Sequence, residues 1–172
     1  DLPFAVDLNQ GCRDREEAAL LIEALEDFAC RLVEQPLKAS DHEGHRWLGE
    51  RVSIPIIADE SIRNEDDLGQ FHEVYAGVNV KVMKCGGLLQ AQRMLRFQAS
   101  QTDSRPFIKV LGCMSESTLG IYTSSVLAPL SDVADLDAPY LSANDPFEGF
   151  RIIHGRIERD DSVRLKGGLS LG

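Results

Sequence analysis

Four times in its first 81 residues this chain runs apolar and then stops on a charged side chain, at Asp7, Glu34, Asp59 and Lys81. The runs are Phe4-Ala-Val-Asp7, Leu32-Val-Glu34, Ile54-Pro-Ile-Ile-Ala-Asp59 and Val78-Asn-Val-Lys81. A short apolar run bounded by polar residues reads as a strand buried on both faces, and such strands belong to parallel sheets. The charged ends lie 27, 25 and 22 residues apart, room for one helix and its turns between each pair. Parallel strands joined by right-handed helical crossovers follow, and with them an α/β fold. At its centre is Ile54 to Ser61, which closes on Asp59, Glu60 and Ser61.

The rest of the chain keeps the alternation. Residues 3–9 read as the first strand, with Ala5, Asp7 and Asn9 on one face. Residues 13–30 read as an amphipathic helix whose apolar side carries Ala18, Leu21, Ile22, Leu25, Phe28 and Ala29. A strand over 32–35 stops at Pro36, and 40–51 holds a short helix around Trp47 and Leu48. After the central strand at 54–59, Asn64 is placed to cap a helix running to Tyr75, ahead of Glu65, Asp66 and Asp67. Then come a strand at 78–83, a tight turn at Cys85-Gly86-Gly87, a helix at 88–101, a strand at 106–114, a helix at 117–130 and a strand at 133–136. From Pro139 the pattern changes to loops and two hairpin pieces, 150–158 and 162–165. The expected division is therefore 1–138, a partial (β/α) barrel, and 139–172, a carboxyl-terminal tail.

An open doubly wound sheet gathers ligands at one switch point, whereas a barrel aims every strand end at a common axis. Chemistry on four successive strand ends favours the barrel. Six strands are two short of the usual eight, and the chain opens on a strand with no cap or polar lead, so about two βα units are expected ahead of residue 1.

Composition narrows the partners. A net charge of -10 and a pI of about 4.8 argue against nucleic acid, whose phosphates need clustered Lys and Arg. No apolar run approaches ~18 residues, so no membrane partner is expected. The four cysteines lack zinc-like spacing and are too few to staple a domain of this size, which suits a reducing, cytoplasmic setting.

Asp7, Glu34 and Asp59 offer three hard oxygen donors, a set suited to Mg²⁺ with positions left for water and substrate. Taken singly, each also suits a helix cap or a loop hydrogen bond. Lys81 points inward with Asn79 if Val78, Val80 and Val82 pack outward. Beside a divalent cation its pKa is expected to drop towards a general-base range. Lys84 receives no role. His42, His45, His72 and His154 read as surface residues, Gly86-Gly87 as a βα turn, and Cys113-Met114 as packing.

Val6-Asp-Leu-Asn-Gln-Gly11, Val33-Glu-Gln-Pro36, Ile57-Ala-Asp-Glu-Ser61 and Asn79-Val-Lys-Val-Met-Lys-Cys-Gly-Gly87 resemble, in order, the signatures of the enolase superfamily, muconate-lactonizing subgroup. The resemblance implies strands 3 to 8 of an enolase-type (β/α) barrel. It also implies Mg²⁺ on Asp7, Glu34 and Asp59, and Lys81 as the catalytic acid/base. The shared step is removal of a proton α to a carboxylate, through an enediolate that the metal stabilises. Met114-Ser-Glu-Ser-Thr-Leu-Gly120 resembles the seventh-strand motif, which implies Met114 and Glu116 beside the substrate. Asp135-Leu-Asp137-Ala-Pro139 resembles the Asp-x-Asp of dipeptide epimerases, whose paired acids bind the α-ammonium of an Ala-Glu-like dipeptide.

Two departures stand out. The Lys-x-Lys of the second barrel strand and the α+β capping domain do not occur in this sequence. The implied activity is Mg²⁺-dependent epimerisation of a dipeptide. The alternatives are N-acylamino acid racemase, o-succinylbenzoate synthase or muconate cycloisomerase chemistry, or a noncatalytic barrel remnant. The oligomeric state, a homo-oligomer included, is left open.

Overall fold

A computed structural model of the chain describes residues 2–98 and 106–168. Six parallel strands stand side by side in chain order: β1 (Phe4–Asp7), β2 (Cys30–Glu34), β3 (Ile56–Ala58), β4 (Gly77–Lys81), β5 (Ile108–Gly112) and β6 (Val133–Ala134). The helices between them are α1 (Arg15–Leu25), α2 (His42–Arg51), α3 (Glu65–Phe71), α4 (Val82–Cys85), α5 (Leu88–Leu95) and α6 (Thr118–Ser124). Among the described residues β1 and β6 are not paired with each other, so the sheet is an arc whose two edge strands each pair on one side only.

Local chemistry sets the helix starts. Asp14, Asp41 and Asn64 each accept a hydrogen bond from the backbone N–H three residues on, at 2.8, 2.8 and 2.9 Å. The cap foreseen at Asn64 is therefore present. α1 is shorter than its apolar spacing predicts, because the chain turns after Leu25 and β2 already begins at Cys30. Its buried face is Ala18, Ala19 and Ile22, while Phe28 and Leu21 are exposed. The expected helix at 88–101 is α5, which ends at Leu95; residues 99–101 lie outside those described. Gly86 and Gly87 adopt φ of 93° and 123°, conformations that favour glycine, in the turn that joins α4 to α5.

Period-two alternation sorts the strand residues. Val33, Ile56, Ala58, Val78, Val80 and Leu111 belong to the main core with Ile22, Leu48, Leu68, Met94 and Ile121 from the helices. Leu32, Ile57 and Val110 form a separate small cluster on the other face. Two residues further along that face stand Glu34, Asp59 and Gly112.

Beyond β6, α7 (Ala138–Leu141) leads to an antiparallel hairpin of β7 (Phe147–Ile153) and β8 (Arg156–Leu165). Phe150, Ile152 and Ile157 of this hairpin join the main core, and the Tyr122 hydroxyl of α6 donates to the Asp160 carbonyl at 2.9 Å. The division expected after residue 138 falls inside α7.

Candidate active site

Parallel register places the first two acids level: Asp7 pairs with Glu34 across β1 and β2. Asp59 follows β3, and Lys81 ends β4 level with Gly112 of β5. One cavity of about 650 Å³ is lined by Asp7, Glu34, Asn79 and Lys81 together with Met114, Glu116, Asp135 and Asp137. Asp59 is not on its wall. It lies buried behind, 4% exposed, with both carboxylate oxygens taken by lysines.

Glu34 is 7% exposed and accepts from Asn79 Nδ2 at 2.8 Å. Burial pushes its carboxyl up to about 7; the Asn79 bond and Lys81 oppose this, while the charges of Asp7 and Asp59 add to it. Asn79 owes its place to Gly112, where a Cβ would stand 2.3 Å from the Asn79 Oδ1. That oxygen is buried and has no hydrogen-bond partner among the described residues.

Lys81 Nζ donates to Asp59 Oδ2 at 2.5 Å and stands 3.9 Å from Glu34 Oε1. Burial would lower its pKa, but the bond and charge of Asp59, with Glu34 and Asp7 behind it, outweigh burial and raise it. The sequence-based expectation of a lowered pKa is for a lysine beside a divalent cation; the protein groups by themselves, Asp59 foremost, pull the other way. The lowered lysine is Lys84, for which burial prevails over the pull of Asp59. Lys84 Nζ donates to the Asp59 carboxylate, and to the Asp59 and Asn79 carbonyls at 2.8 Å each. In the sequence Lys84 reads as lying nearer the loop, past the strand end, and so receives no role. In fact α4 starts at Val82, and a helical turn brings i and i+3 to one side.

Three acids at neighbouring strand ends do not yet make a closed cage. Among the described residues, no three His, Cys, Asp or Glu side chains converge on a metal-holding arrangement. Asp7 turns to its own loop, accepting from the Asn9 backbone and side chain at 2.8 and 2.6 Å, and Asp59 faces the lysines. The donor chemistry nonetheless fits a hard divalent cation. Burial, with the charges of Asp7 and Asp59 adding to it, raises the Glu34 carboxyl to about 7, and a buried amide oxygen beside it lacks a partner among the described residues.

Asp135 and Asp137 lie just past β6, not on it, and flank Leu136, which is 1% exposed. Both acids are exposed and line the cavity. Partial desolvation against the cavity wall and then the neighbouring Asp137 raise the Asp135 carboxyl, and Lys81 opposes them. Glu116 accepts from the Met114 N–H at 3.1 Å, and Met114 is 47% exposed at the cavity, not packed as expected. His45 is fully buried, so the surface reading fails there; His42 is half-buried, its ring stacked on Phe71 at 3.7 Å. His154 is exposed, as expected.

Comparison with known proteins completes the picture. Residues 1–158 match the family described as enolase C-terminal domain-like. The chain belongs to that family. Among relatives of the enolase type, an L-Ala-D/L-Glu epimerase of Bacteroides thetaiotaomicron is 34% identical over 161 residues, covering 94% of this chain and 41% of the relative. The solved L-Ala-D/L-Glu epimerase of Bacillus subtilis, in a substrate-liganded complex, superposes with a TM-score of 0.80 at 26% identity over 95% of this chain and 46% of its own. A dipeptide epimerase of Enterococcus faecalis, complexed with Mg and the dipeptide L-Leu-L-Tyr, gives 0.76 at 29% identity, covering 93% and 46%. The chain spans less than half the length of these relatives. The six-stranded arc is thus part of an enolase-type barrel.

Proposed function

We propose that this chain supplies the metal-binding and acid/base half of a dipeptide epimerase. The observation that carries the reading is the single cavity lined by Asp7, Glu34 and Lys81 as well as by Asp135 and Asp137. A dipeptide is a zwitterion, and this cavity offers a cation-binding acid pair and a cationic amine on groups far apart in sequence.

Asp7, Glu34 and Asp59 are the residues that would hold Mg²⁺. When bound there, Mg²⁺ supplies positive charge against the substrate carboxylate, which lowers the cost of removing its α-proton. Lys81 serves one face of the α-carbon. As an ammonium it returns a proton from Nζ, and as the neutral amine it takes one, so a single residue is acid for one configuration and base for the other. Inversion also needs a proton carrier on the opposite face, which the resemblance assigns to a strand ahead of Asp7. Asp135 and Asp137 would orient the substrate by accepting hydrogen bonds from its α-ammonium.

The test is α-proton exchange. With Mg²⁺ in heavy water, an Ala-Glu dipeptide incubated with protein containing this chain is expected to gain deuterium at one α-carbon, and Lys81→Met to abolish the gain. Exchange that survives Lys81→Met would overturn the assignment. Replacing Asp135 and Asp137 together with Asn is expected to raise KM for the dipeptide at least tenfold; unchanged kinetics would favour an N-acylated substrate.

A further inference from the structure

The geometry points to Gln35 as the positioning residue that holds Asp59 in place beside Glu34 and Lys81, an inference that rests on the metal-site reading above. Gln35 follows Glu34 directly, is fully buried, and has a positive φ of 37°. Its backbone N–H donates to the Ile57 carbonyl at 3.0 Å, and its carbonyl accepts from Gln10 at 2.7 Å. The left-handed backbone turns the side chain across the end of β3. There Oε1 accepts from the Asp59 and Ser61 N–H groups at 2.9 and 3.1 Å, and Nε2 donates to Ser61 Oγ at 2.7 Å and to the Leu37 carbonyl at 3.1 Å.

The direction of this amide is fixed at both ends, by the Asp59 and Ser61 N–H groups, which only donate, and by His45, one helix away. His45 Nδ1 lies 2.7 Å from the Asp41 carbonyl, which only accepts, so Nδ1 carries the proton. Nε2 is then an acceptor, and it faces Gln35 Nε2 at 3.2 Å and the Leu37 N–H at 3.4 Å. The amide must present its NH₂ group to His45 and its oxygen to Asp59. Asp59 is consequently gripped from two sides: its N–H by Gln35, and its carbonyl and carboxylate by Lys84. No apolar side chain of similar size can replace Gln35 without leaving buried N–H groups unpaired.

Amide hydrogen exchange and Mn²⁺ titration of the 172-residue chain test this. Gln35→Leu is expected to speed exchange at Asp59 and Ser61 at least tenfold while Val80 and Leu111 keep their rates, and to weaken Mn²⁺ binding at least tenfold. Gln35→Glu, which keeps the acceptor, is expected to restore protection at both amides. Unchanged exchange at Asp59 and Ser61, or acceleration spread evenly through β4 and β5 without rescue, would overturn the inference. If Gln35→Leu does not fold, Gln35→Asn, whose amide is one methylene too short to reach across to β3, takes its place and is expected to speed exchange at the same two N–H groups; undiminished protection there counts against the inference. Absence of Mn²⁺ binding in the unsubstituted chain sinks the metal reading instead, and the exchange pattern still decides what Gln35 holds.

Discussion

Glu34 shows how far a residue's behaviour can depart from its place in a motif. Its folded pKa of about 7 stands above the ordinary carboxyl value of 4.5, so the stability it contributes is complete below about pH 4.5 and is lost as pH rises through about 7. In metal-free buffer at pH 8, Glu34→Gln is expected to stabilise the chain by about 2 kcal/mol, roughly 4–8 °C in Tm, and to leave it unchanged at pH 4. The same substitution is expected to abolish Mg²⁺ binding in a calorimetric titration. Lys84→Met removes one of the two cations on buried Asp59 and is expected to cost about 3 kcal/mol in a denaturant titration at pH 7. The acids and Lys81 were legible because each ends an apolar run. Lys84, Gln35 and His45 were not, since nothing in local sequence says that a lysine reaches back to a neighbouring strand or that a helix histidine is buried.

Helices and strands followed the sequence where the deciding contact is local. Asn64 caps its helix through a bond three residues away, and the Gly86-Gly87 turn needs only the backbone freedom of glycine. Where a distant partner decides, the reading slipped: the start of β2 ended α1 early, and Phe28 fell on the outside. Two glycines separate these cases experimentally. Gly49, exposed on the outer side of α2, has nothing nearer than the Val74 carbonyl, 3.9 Å from an added Cβ, so Gly49→Ala is expected to stabilise by about 0.5–1 kcal/mol. At Gly77 the same Cβ would stand 2.2 Å from the Ile108 carbonyl oxygen, and Gly77→Ala is expected to part β4 from β5 at a cost of about 1–3 kcal/mol. Thermal melts of the two variants should move in opposite directions.

On the scale of the whole molecule, the arc and its tail are joined through Asp145. Its carboxylate accepts from the Thr118 N–H at the start of α6 at 2.6 Å and from the Phe147 N–H at 3.0 Å, and it lines the same cavity as Lys81. Asp145→Ala is expected to loosen the hairpin, so that limited proteolysis cuts within 147–165 sooner while β1 to β5 resist; unchanged cutting would show that Phe150 and the core alone hold it. Among the described residues β1 and β6 have no partner on their outer sides, and strands in that position invite pairing with another segment. What the sequence by itself determined is the order of strands and helices, the six-stranded parallel arrangement and the acids and lysine at its strand ends. These rest on periodicity and spacing, which are properties of neighbouring residues. Only the tertiary structure decided which way those side chains turn: Asp59 to the lysines, Asp7 to its own loop, and Glu34 into a buried site. Only Asp7 finds its partner nearby, in Asn9; charge, burial and hydrogen bonding at Glu34 and Asp59 are supplied by residues about 20 to 50 positions away, and no local pattern carries them.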